Sequence, residues 1–260
     1  MVIDKVLDFL GRRLARYLTA PIPDFQPSAA TNFELLCRAI RPADVLLVEG
    51  NSRIATAIKY LTQSTWSHSA LYVGPIEGGS GEARVLIEAN VDEGVVAVPL
   101  SKYRHSHTRI CRPVGLSETA REQVVAFALE RLGVQYDIRN IVDLVRYLLP
   151  TPPVPSRFRR RMIALGSGQP TRAICSTLIA QAFQSASYPI LPRVERVGEA
   201  RSPADDNSTH REILHIRHHS LFAPRDFDIS PYFAIVKPTI EEGFDYTAID
   251  WGAGDGQAAA

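Results

Sequence analysis

Cysteine is scarce in this chain of 260 residues, and long apolar runs are missing. The three cysteines, at positions 37, 111 and 175, form no CxxC pair. Such a scattered, odd set is typical of a reducing compartment rather than of a disulfide framework. No apolar run approaches the length of a membrane span, and a net charge of +1 supplies no field for nucleic acid. These absences favour a cytoplasmic globular protein without a nucleic-acid partner.

The composition and the two ends of the chain indicate one domain with extensions. Hydrophobic content of 45% and charged content of 22% are those of ordinary globular proteins. Residues 1–18 carry an apolar stripe interrupted by arginines, which is unlike a signal peptide and predicts an amphipathic helix. That helix either docks on its own domain or makes peripheral contact with a membrane. We expect an N-terminal helix and linker over residues 1–30, a central domain over 31–240 and a disordered tail over 241–260.

Apolar segments bounded by turn residues predict a mostly antiparallel sheet over residues 44–112. Strands are expected near 45–49, 67–74, 84–89, 94–98 and 108–111, with a late strand at 231–238. Helices are expected at 32–40, 52–61, 117–132, 140–149 and in the segment that contains Cys175. The third of these helices is expected to begin with a capping box of Thr119 and Glu122. The polar segment 197–212 is expected to be an exposed, mobile loop.

Cys175 lies where a loop that cannot be helical gives way to a helix. Residues 166–171 contain two glycines and a proline, and apolar residues then recur at helical spacing: Leu178, Ile179, Ala182 and Phe183. A thiol in the first turn sits at the positive end of the helix dipole, which lowers its pKa and favours the reactive thiolate. The alternative is that Cys175 is a small buried apolar residue, as most free cysteines are.

His68 has the least ordinary position of the seven histidines. It opens an apolar strand, in which alternation puts His68, Ala70 and Tyr72 on one face. An imidazole there needs a partner for each nitrogen, although a purely structural histidine fits the same pattern. The others lie in polar segments: His105 and His107 in a turn where solvated side chains are expected, and His210, His215, His218 and His219 near the C-terminal loop. The last four lack an accompanying cysteine or carboxylate pattern, so no metal site is predicted.

Glu88 supplies a third candidate group. It lies inside the apolar segment 85–89, where a carboxylate is costly unless it is paired. If the strand of His68 and the strand of Glu88 are neighbours, Glu88 accepts from one nitrogen of His68 and leaves the other nitrogen for Cys175. The alternative is an edge-strand glutamate that faces water. A Cys–His–Glu triad would explain all three unusual placements, so we interpret the chain as a thiol enzyme.

The order of these motifs resembles that of the circularly permuted papain-like amidases of the NlpC superfamily. The matching pieces are residues 44–48, 66–74, 85–89 and 173–179. In the ordinary papain-like order the cysteine helix comes first, whereas the order here is His, Glu, Cys. The resemblance covers about residues 41–185. It implies an α+β fold in which an antiparallel sheet packs against the N-terminus of the cysteine-bearing helix.

Carried over by this resemblance, Cys175 is the nucleophile, His68 the base and Glu88 the orienting group. The family implies a cysteine hydrolase that cleaves an amide or ester bond, and we expect it to act through a thioester acyl-enzyme. The Cys175 backbone N–H is an expected oxyanion donor. Candidates for substrate binding are chosen by residue type alone: Tyr72, Tyr136 and Arg172. This chemistry requires no metal or organic cofactor.

Two other functions stay open. Lecithin:retinol acyltransferase-like relatives share the permuted order and move acyl chains from lipids, and residues 1–18 with the basic segment 156–161 would suit a phospholipid surface. The second is a binding module that has kept the fold without the chemistry. The expected substrate is therefore a small peptide-like or lipid-like amide or ester. The sequence does not indicate an oligomeric state.

Overall fold

A computed structural model describes residue 13 and residues 17–23, 25–29, 31–76, 84–90, 93–135, 174–197, 211–241 and 243–248. Its helices are α1 (Phe33–Ala39), α2 (Arg53–Thr62), α3 (Glu118–Leu129), α4 (Ile174–Ser185), α5 (Pro224–Asp228) and α6 (Pro238–Glu241). Its strands are β1 (Val45–Val48), β2 (His68–Gly74), β3 (Val85–Asn90), β4 (Gly94–Pro99), β5 (Thr108–Pro113), β6 (Arg193–Val197), β7 (Arg211–His215) and β8 (Phe233–Val236). Short 3₁₀ turns span Leu100–Tyr103, His219–Leu221 and Tyr246–Ala248.

Six of these strands form one antiparallel sheet in the order β4-β3-β2-β1-β5-β8. The predicted sheet over residues 44–112 and the late strand are thereby confirmed. β2 is an inner strand between β1 and β3, and its first residue, His68, is only partly exposed. Strands β6 and β7 pair separately.

The two faces of the sheet pack against different helices. On one face α4 and part of α3 cover a cluster that includes Leu47, Leu71 and Ile87. On the other face α1 covers a cluster that includes Ala70 and Leu86. Alternate residues of β2 therefore belong to opposite layers, as the strand period of two predicted. The side chain of His68 is on the face of the sheet that α1 covers, whereas α4, the helix that carries Cys175, packs on the opposite face.

Local details differ from the sequence expectation at three places. Helix α3 is capped by Ser117, whose side chain accepts from the N–H of Ala120, so the predicted capping box at Thr119 and Glu122 is wrong. That helix also ends at Leu129, before the expected position 132. The expected loop 197–212 is bounded by paired strands, since Val197 pairs with Arg211.

Several expectations lie outside the described residues. They are the N-terminal helix expected over residues 1–18, apart from the described residues 13, 17 and 18, the helix at 140–149, the basic segment 156–161 and the interior of the segment 198–210. Of the tail that was expected to be disordered, residue 241 ends α6 and residues 243–248 contain a 3₁₀ turn, while 242 and 249–260 are not described. The proposed domain limits stay predictions.

Candidate active site

Cys175 is the second residue of α4 and is 5% exposed. The four apolar residues that predicted the inward face of this helix are all buried: Leu178, Ile179, Ala182 and Phe183. Their packing against the sheet fixes the helix in place, so the thiol lies in the first turn, where backbone N–H groups have no intrahelical partner. The helix dipole favours a negative charge at this position.

His68 is the first residue of β2 and pairs with Val48 of β1. The chain enters this strand through Trp66, whose indole N–H donates to Asp228 at 3.1 Å. The same carboxylate accepts from Arg109 at 2.7 Å, and the guanidinium of Arg109 lies 4.9 Å from the centre of the indole ring. The residue two positions before His68 is therefore anchored to a distant part of the chain, which fixes the start of the strand.

Glu88 lies beside His68 because of the register of β2 and β3. Leu71 pairs with Ile87, so Glu88 lies opposite Ala70 and diagonally from His68 on the same face. The distance from His68 Nε2 to Glu88 Oε2 is 3.2 Å. Glu88 is 0% exposed, so the strand-edge alternative is wrong for this residue.

Four donors surround the Glu88 carboxylate. Oε2 accepts from His68 and from the hydroxyl of Tyr103. Oε1 accepts from Lys102 Nζ at 2.5 Å and from Asn90 Nδ2 at 3.0 Å. Burial raises the pKa of Glu88, but His68 and then Lys102 outweigh burial and hold the pKa well below its usual range. The carboxylate is therefore ionised.

His68 bridges this carboxylate and the thiol. Its ring contacts Glu88 and is close enough to the sulfur of Cys175 for each of these two groups to shift the pKa of the other. Because Nε2 faces Glu88, Nδ1 is the nitrogen left for the sulfur. The pairing of β2 with β3 starts at Leu71, two residues beyond Ser69. His68 and Ser69 therefore lie before the paired part of the two strands, and there the imidazole is close to the first turn of α4. The predicted triad residues thus lie together.

The charges of His68 and Cys175 stabilise each other. Burial by itself lowers the pKa of His68, but Cys175 and Glu88 outweigh burial and raise the pKa to about 10. Burial by itself raises the pKa of Cys175, but His68 and then Ser69 outweigh burial and lower the pKa to about 7. These opposite shifts favour a thiolate on Cys175 and an imidazolium on His68, and the thiolate is the reactive form of a thiol.

Sequence reasoning missed Ser69 as a partner of the sulfur. Its hydroxyl and its backbone N–H both help to lower the pKa of Cys175, and its Oγ lies 3.1 Å from Ser176 Oγ. Ser176 Oγ is in turn 4.0 Å from the Cys175 sulfur. Strand alternation predicts that Ser69 points to the face opposite His68, where α4 lies, and this was the available signal.

Replacing Ser69 with alanine is expected to raise the pKa of Cys175, because one hydroxyl donor to the sulfur is lost. Alkylation by iodoacetamide at pH 6 follows the thiolate fraction and should slow about two- to tenfold, as for one hydrogen bond of about 1 kcal/mol. Ser67→Ala is the matched control, since Ser67 is buried on the same chain segment and accepts from the N–H of Gly50 at 2.9 Å. Equal rates in parent and Ser69→Ala protein would contradict this role.

The other residues predicted for the site have different outcomes. Tyr72 is buried in the α1 layer, and the charged or titratable groups near its hydroxyl are Arg84, Cys37 and Asp44. The structure therefore does not bring Tyr72 to Cys175, because Tyr72 lies four residues beyond His68 along β2. Tyr136 and Arg172 lie outside the described residues.

The expectation that His107 is a solvated turn residue is wrong. Its Nδ1 lies 3.1 Å from Glu49 Oε2, and its ring packs 4.9 Å from that of Trp66. Glu49 also accepts from the N–H and hydroxyl of Ser28, each at 2.9 Å, and its Oε1 lies 3.7 Å from Lys59 Nζ. This second histidine–carboxylate pair has no thiol beside it among the described residues.

In the C-terminal histidine group, the rings of His218 and His219 stack at 4.1 Å, and His218 Nδ1 lies 2.7 Å from Ser220 Oγ. His210 lies outside the described residues. Across the part of the chain that the structure covers, no three His, Cys, Asp or Glu residues form a group that could hold a metal ion. The described helices include none long and apolar enough to cross a membrane.

The mixed helices, the antiparallel sheet and the order of the site residues are those expected of a permuted papain-like fold. A family model described as "Permuted papain-like amidase enzyme, YaeF/YiiX, C92 family" matches residues 39–147. This match confirms the resemblance and the fold class inferred from the motifs, and it supports a hydrolase. It includes the strands of His68 and Glu88 and ends before Cys175.

Solved structures also match this chain. One is the crystal structure of metalloprotein yiiX from Escherichia coli O157:H7, with 15% identity and a TM-score of 0.44 over 75% of this chain and 96% of that chain. No curated protein matches the chain in sequence.

Proposed function

We propose that this protein is a cysteine-dependent hydrolase that cleaves an amide or ester bond through a thioester, with Cys175 as nucleophile, His68 as base and Glu88 as the group that orients His68. The observation that carries the proposal is the position of His68 beside both groups: its Nε2 lies 3.2 Å from Glu88 Oε2, and its ring is close enough to the Cys175 sulfur for each group to shift the pKa of the other. A nucleophile, a base and an orienting group in this order are the parts that thiol acyl transfer requires.

In the first half-reaction the Cys175 thiolate attacks the carbonyl carbon, forming a C–S bond and an oxyanion. When this intermediate collapses, the bond to the leaving amine or alkoxide breaks, and the His68 imidazolium gives its proton to the leaving group. The product is a thioester on Cys175 and a neutral His68.

In the second half-reaction neutral His68 takes one proton from a water molecule, and the oxygen attacks the thioester. The C–S bond breaks, the acid is released, and the thiolate and imidazolium are restored. The oxyanion of each half-reaction would form near the first turn of α4, where the Cys175 N–H is a donor. Proton transfer through His68 depends on Glu88 keeping the ring in one orientation.

The test is to trap the acyl-enzyme. The chain is mixed with p-nitrophenyl acetate, with a panel of small peptide amides and with phospholipid vesicles, and Cys175 is examined by mass spectrometry for an acyl adduct that hydroxylamine removes. We expect a Cys175 adduct and turnover with an ester or amide. Cys175→Ala should abolish both, whereas Cys111→Ala, which removes another buried thiol, should retain them.

The outcomes also separate the other two functions. Acyl transfer from phospholipid with no reaction on the soluble esters or amides would favour a lipid acyltransferase. No adduct and no turnover on any probe would leave a binding module on this fold. Of the sequence features that suggested a lipid surface, residues 1–18 and 156–161, the structure describes only residues 13, 17 and 18.

A further inference from the structure

We propose that Lys102 and Tyr103 are positioning residues that hold Glu88 as a carboxylate through the whole catalytic cycle and so preserve the thiolate–imidazolium pair. This inference rests on the proposed function. It adds two residues that come from neither the strand of His68 nor the helix of Cys175. Both act through Glu88 and not on the substrate.

The connection between β4 and β5 brings Lys102 and Tyr103 next to Glu88. β4 and β5 are consecutive along the chain, but β3, β2 and β1 lie between them in the sheet. The connection, residues 100–107, therefore has to cross one face, and it begins with the 3₁₀ turn Leu100–Tyr103. Leu100 and Tyr103 are buried in the layer on the α1 face, which is the face that carries Glu88.

The cycle creates a specific need at Glu88. In the resting state the cation beside its Oε2 is His68, at 3.2 Å. Once His68 has given its proton to a leaving group, that cation is gone. A carboxylate that is 0% exposed and has lost its cation has a strongly raised pKa and tends to take up a proton. A protonated Glu88 could no longer favour the imidazolium form of His68.

Lys102 meets this need with a charge that does not depend on His68. Its Nζ lies 2.5 Å from Oε1, the oxygen that His68 does not contact. The Lys102 side chain is 41% exposed, so the ammonium keeps part of its hydration while it pairs with a fully buried carboxylate. The charges then alternate along the site: thiolate, imidazolium, carboxylate, ammonium.

Tyr103 completes the coordination of the other oxygen. Its hydroxyl donates to Oε2, so that oxygen retains a donor when neutral His68 binds it less strongly. Burial, followed by the charge of Glu88, raises the pKa of Tyr103 well above its ordinary value, so this phenol stays a donor. The groups facing Glu88 are thus His68 from β2, Asn90 from β3, and Lys102 and Tyr103 from the 3₁₀ turn.

The test is the pH dependence of Cys175 alkylation by iodoacetamide in Lys102→Met and Tyr103→Phe proteins. Loss of the Lys102 cation allows Glu88 to become protonated, and a protonated Glu88 no longer favours the imidazolium form of His68, so the pKa of Cys175 rises. We expect alkylation at pH 6 to slow about tenfold in Lys102→Met, the effect of about one pKa unit from a neighbouring charge. A smaller slowing is expected in Tyr103→Phe, and Lys102→Arg should restore the parent rate.

Two comparisons make the inference specific. Lys59→Met removes a lysine from the second histidine–carboxylate pair, where its Nζ lies 3.7 Å from Glu49, and should leave the alkylation profile unchanged. In a Glu88→Gln background, Lys102→Met should add almost nothing, because the lysine acts through the carboxylate. A full tenfold effect in that background would overturn the inference.

The two proposals fail in different ways. A parent protein whose Cys175 has an ordinary thiol pKa would overturn the proposed function itself. A lowered Cys175 pKa in the parent that Lys102→Met and Tyr103→Phe leave unchanged, in proteins with the parent near-ultraviolet dichroism, would overturn only the role of these two residues.

Discussion

Replacing His68 with alanine is expected to raise the pKa of Cys175 from about 7 to above that of an exposed thiol. Without the imidazolium, burial is the dominant influence on the sulfur, and burial disfavours the thiolate. A rise beyond about 8.5 corresponds to a fall of about 30-fold or more in the thiolate fraction at pH 6. Site-resolved mass spectrometry of iodoacetamide adducts across a pH series measures this change.

The chain contains internal controls for this experiment. His107→Ala removes a histidine that also contacts a carboxylate, at 3.1 Å from Glu49, and it should leave the Cys175 profile unchanged. Cys111 reports on a buried thiol without an imidazole, since burial strongly raises its pKa, and it should stay almost unreactive in every variant. If His68→Ala left the Cys175 profile as in the parent, the proposed nucleophile–base pair would be refuted.

Replacing Glu88 with glutamine is expected to lower the free energy of unfolding by about 3 kcal/mol at pH 7, the lower end of the range for removing one partner of a buried ion pair. The lower end applies because Lys102 is partly exposed and can recover hydration. The amide also places an N–H₂ group among four donors, so at least one donor loses its acceptor. Urea unfolding of parent and variant gives the difference directly.

The pH dependence of that difference follows from the direction of the pKa shift. The pKa of Glu88 is lowered in the folded protein, so the carboxylate adds stability above its unfolded pKa of about 4.3. The difference between parent and variant should be full at pH 7 and shrink as the pH falls below about 4.3 towards the folded pKa.

Glu93→Gln is the matched control for the stability measurement. Glu93 is exposed and accepts from the same amide, Asn90 Nδ2, at 3.2 Å. Its replacement should change stability by less than about 0.5 kcal/mol, as expected for surface substitutions. A Glu88→Gln protein no less stable than Glu93→Gln, or a difference that does not depend on pH, would show that Glu88 is not the ionised centre of this network.

The elements that carry the triad could be read from the sequence because their patterns are local. A strand period of two placed His68, Ala70 and Tyr72 on one face, and a helical period placed Leu178 and Phe183 inward. An apolar strand around Glu88 implied that the carboxylate was paired, since an unpaired buried charge is too costly. These inferences need no knowledge of which strands are neighbours, and the fold confirms the faces and the burial that they predicted.

The residues that support the triad could not be read in the same way. Ser69 and Ser176 are 107 positions apart in sequence, and Trp66 and Asp228 are 162 apart. The prediction for His107 failed because Glu49 contacts it across the β1–β5 pair. The prediction for Tyr72 failed because its side chain lies in the α1 layer, four residues beyond His68. Contacts between residues so far apart in sequence depend on the register of paired strands and on how the helices pack against the sheet.

The amino-acid order alone therefore led to the proposed chemistry, because Cys175, His68 and Glu88 each sit in a local setting that only a specific partner would make stable. The tertiary structure decided how that chemistry is supported. The connection from β4 to β5 crosses the sheet and carries Lys102 and Tyr103 to Glu88, and no periodicity in the sequence encodes that crossing. The burial of a charged group such as Glu88 requires hydrogen-bond and charge partners, whereas the topology of the chain determines which residues become those partners.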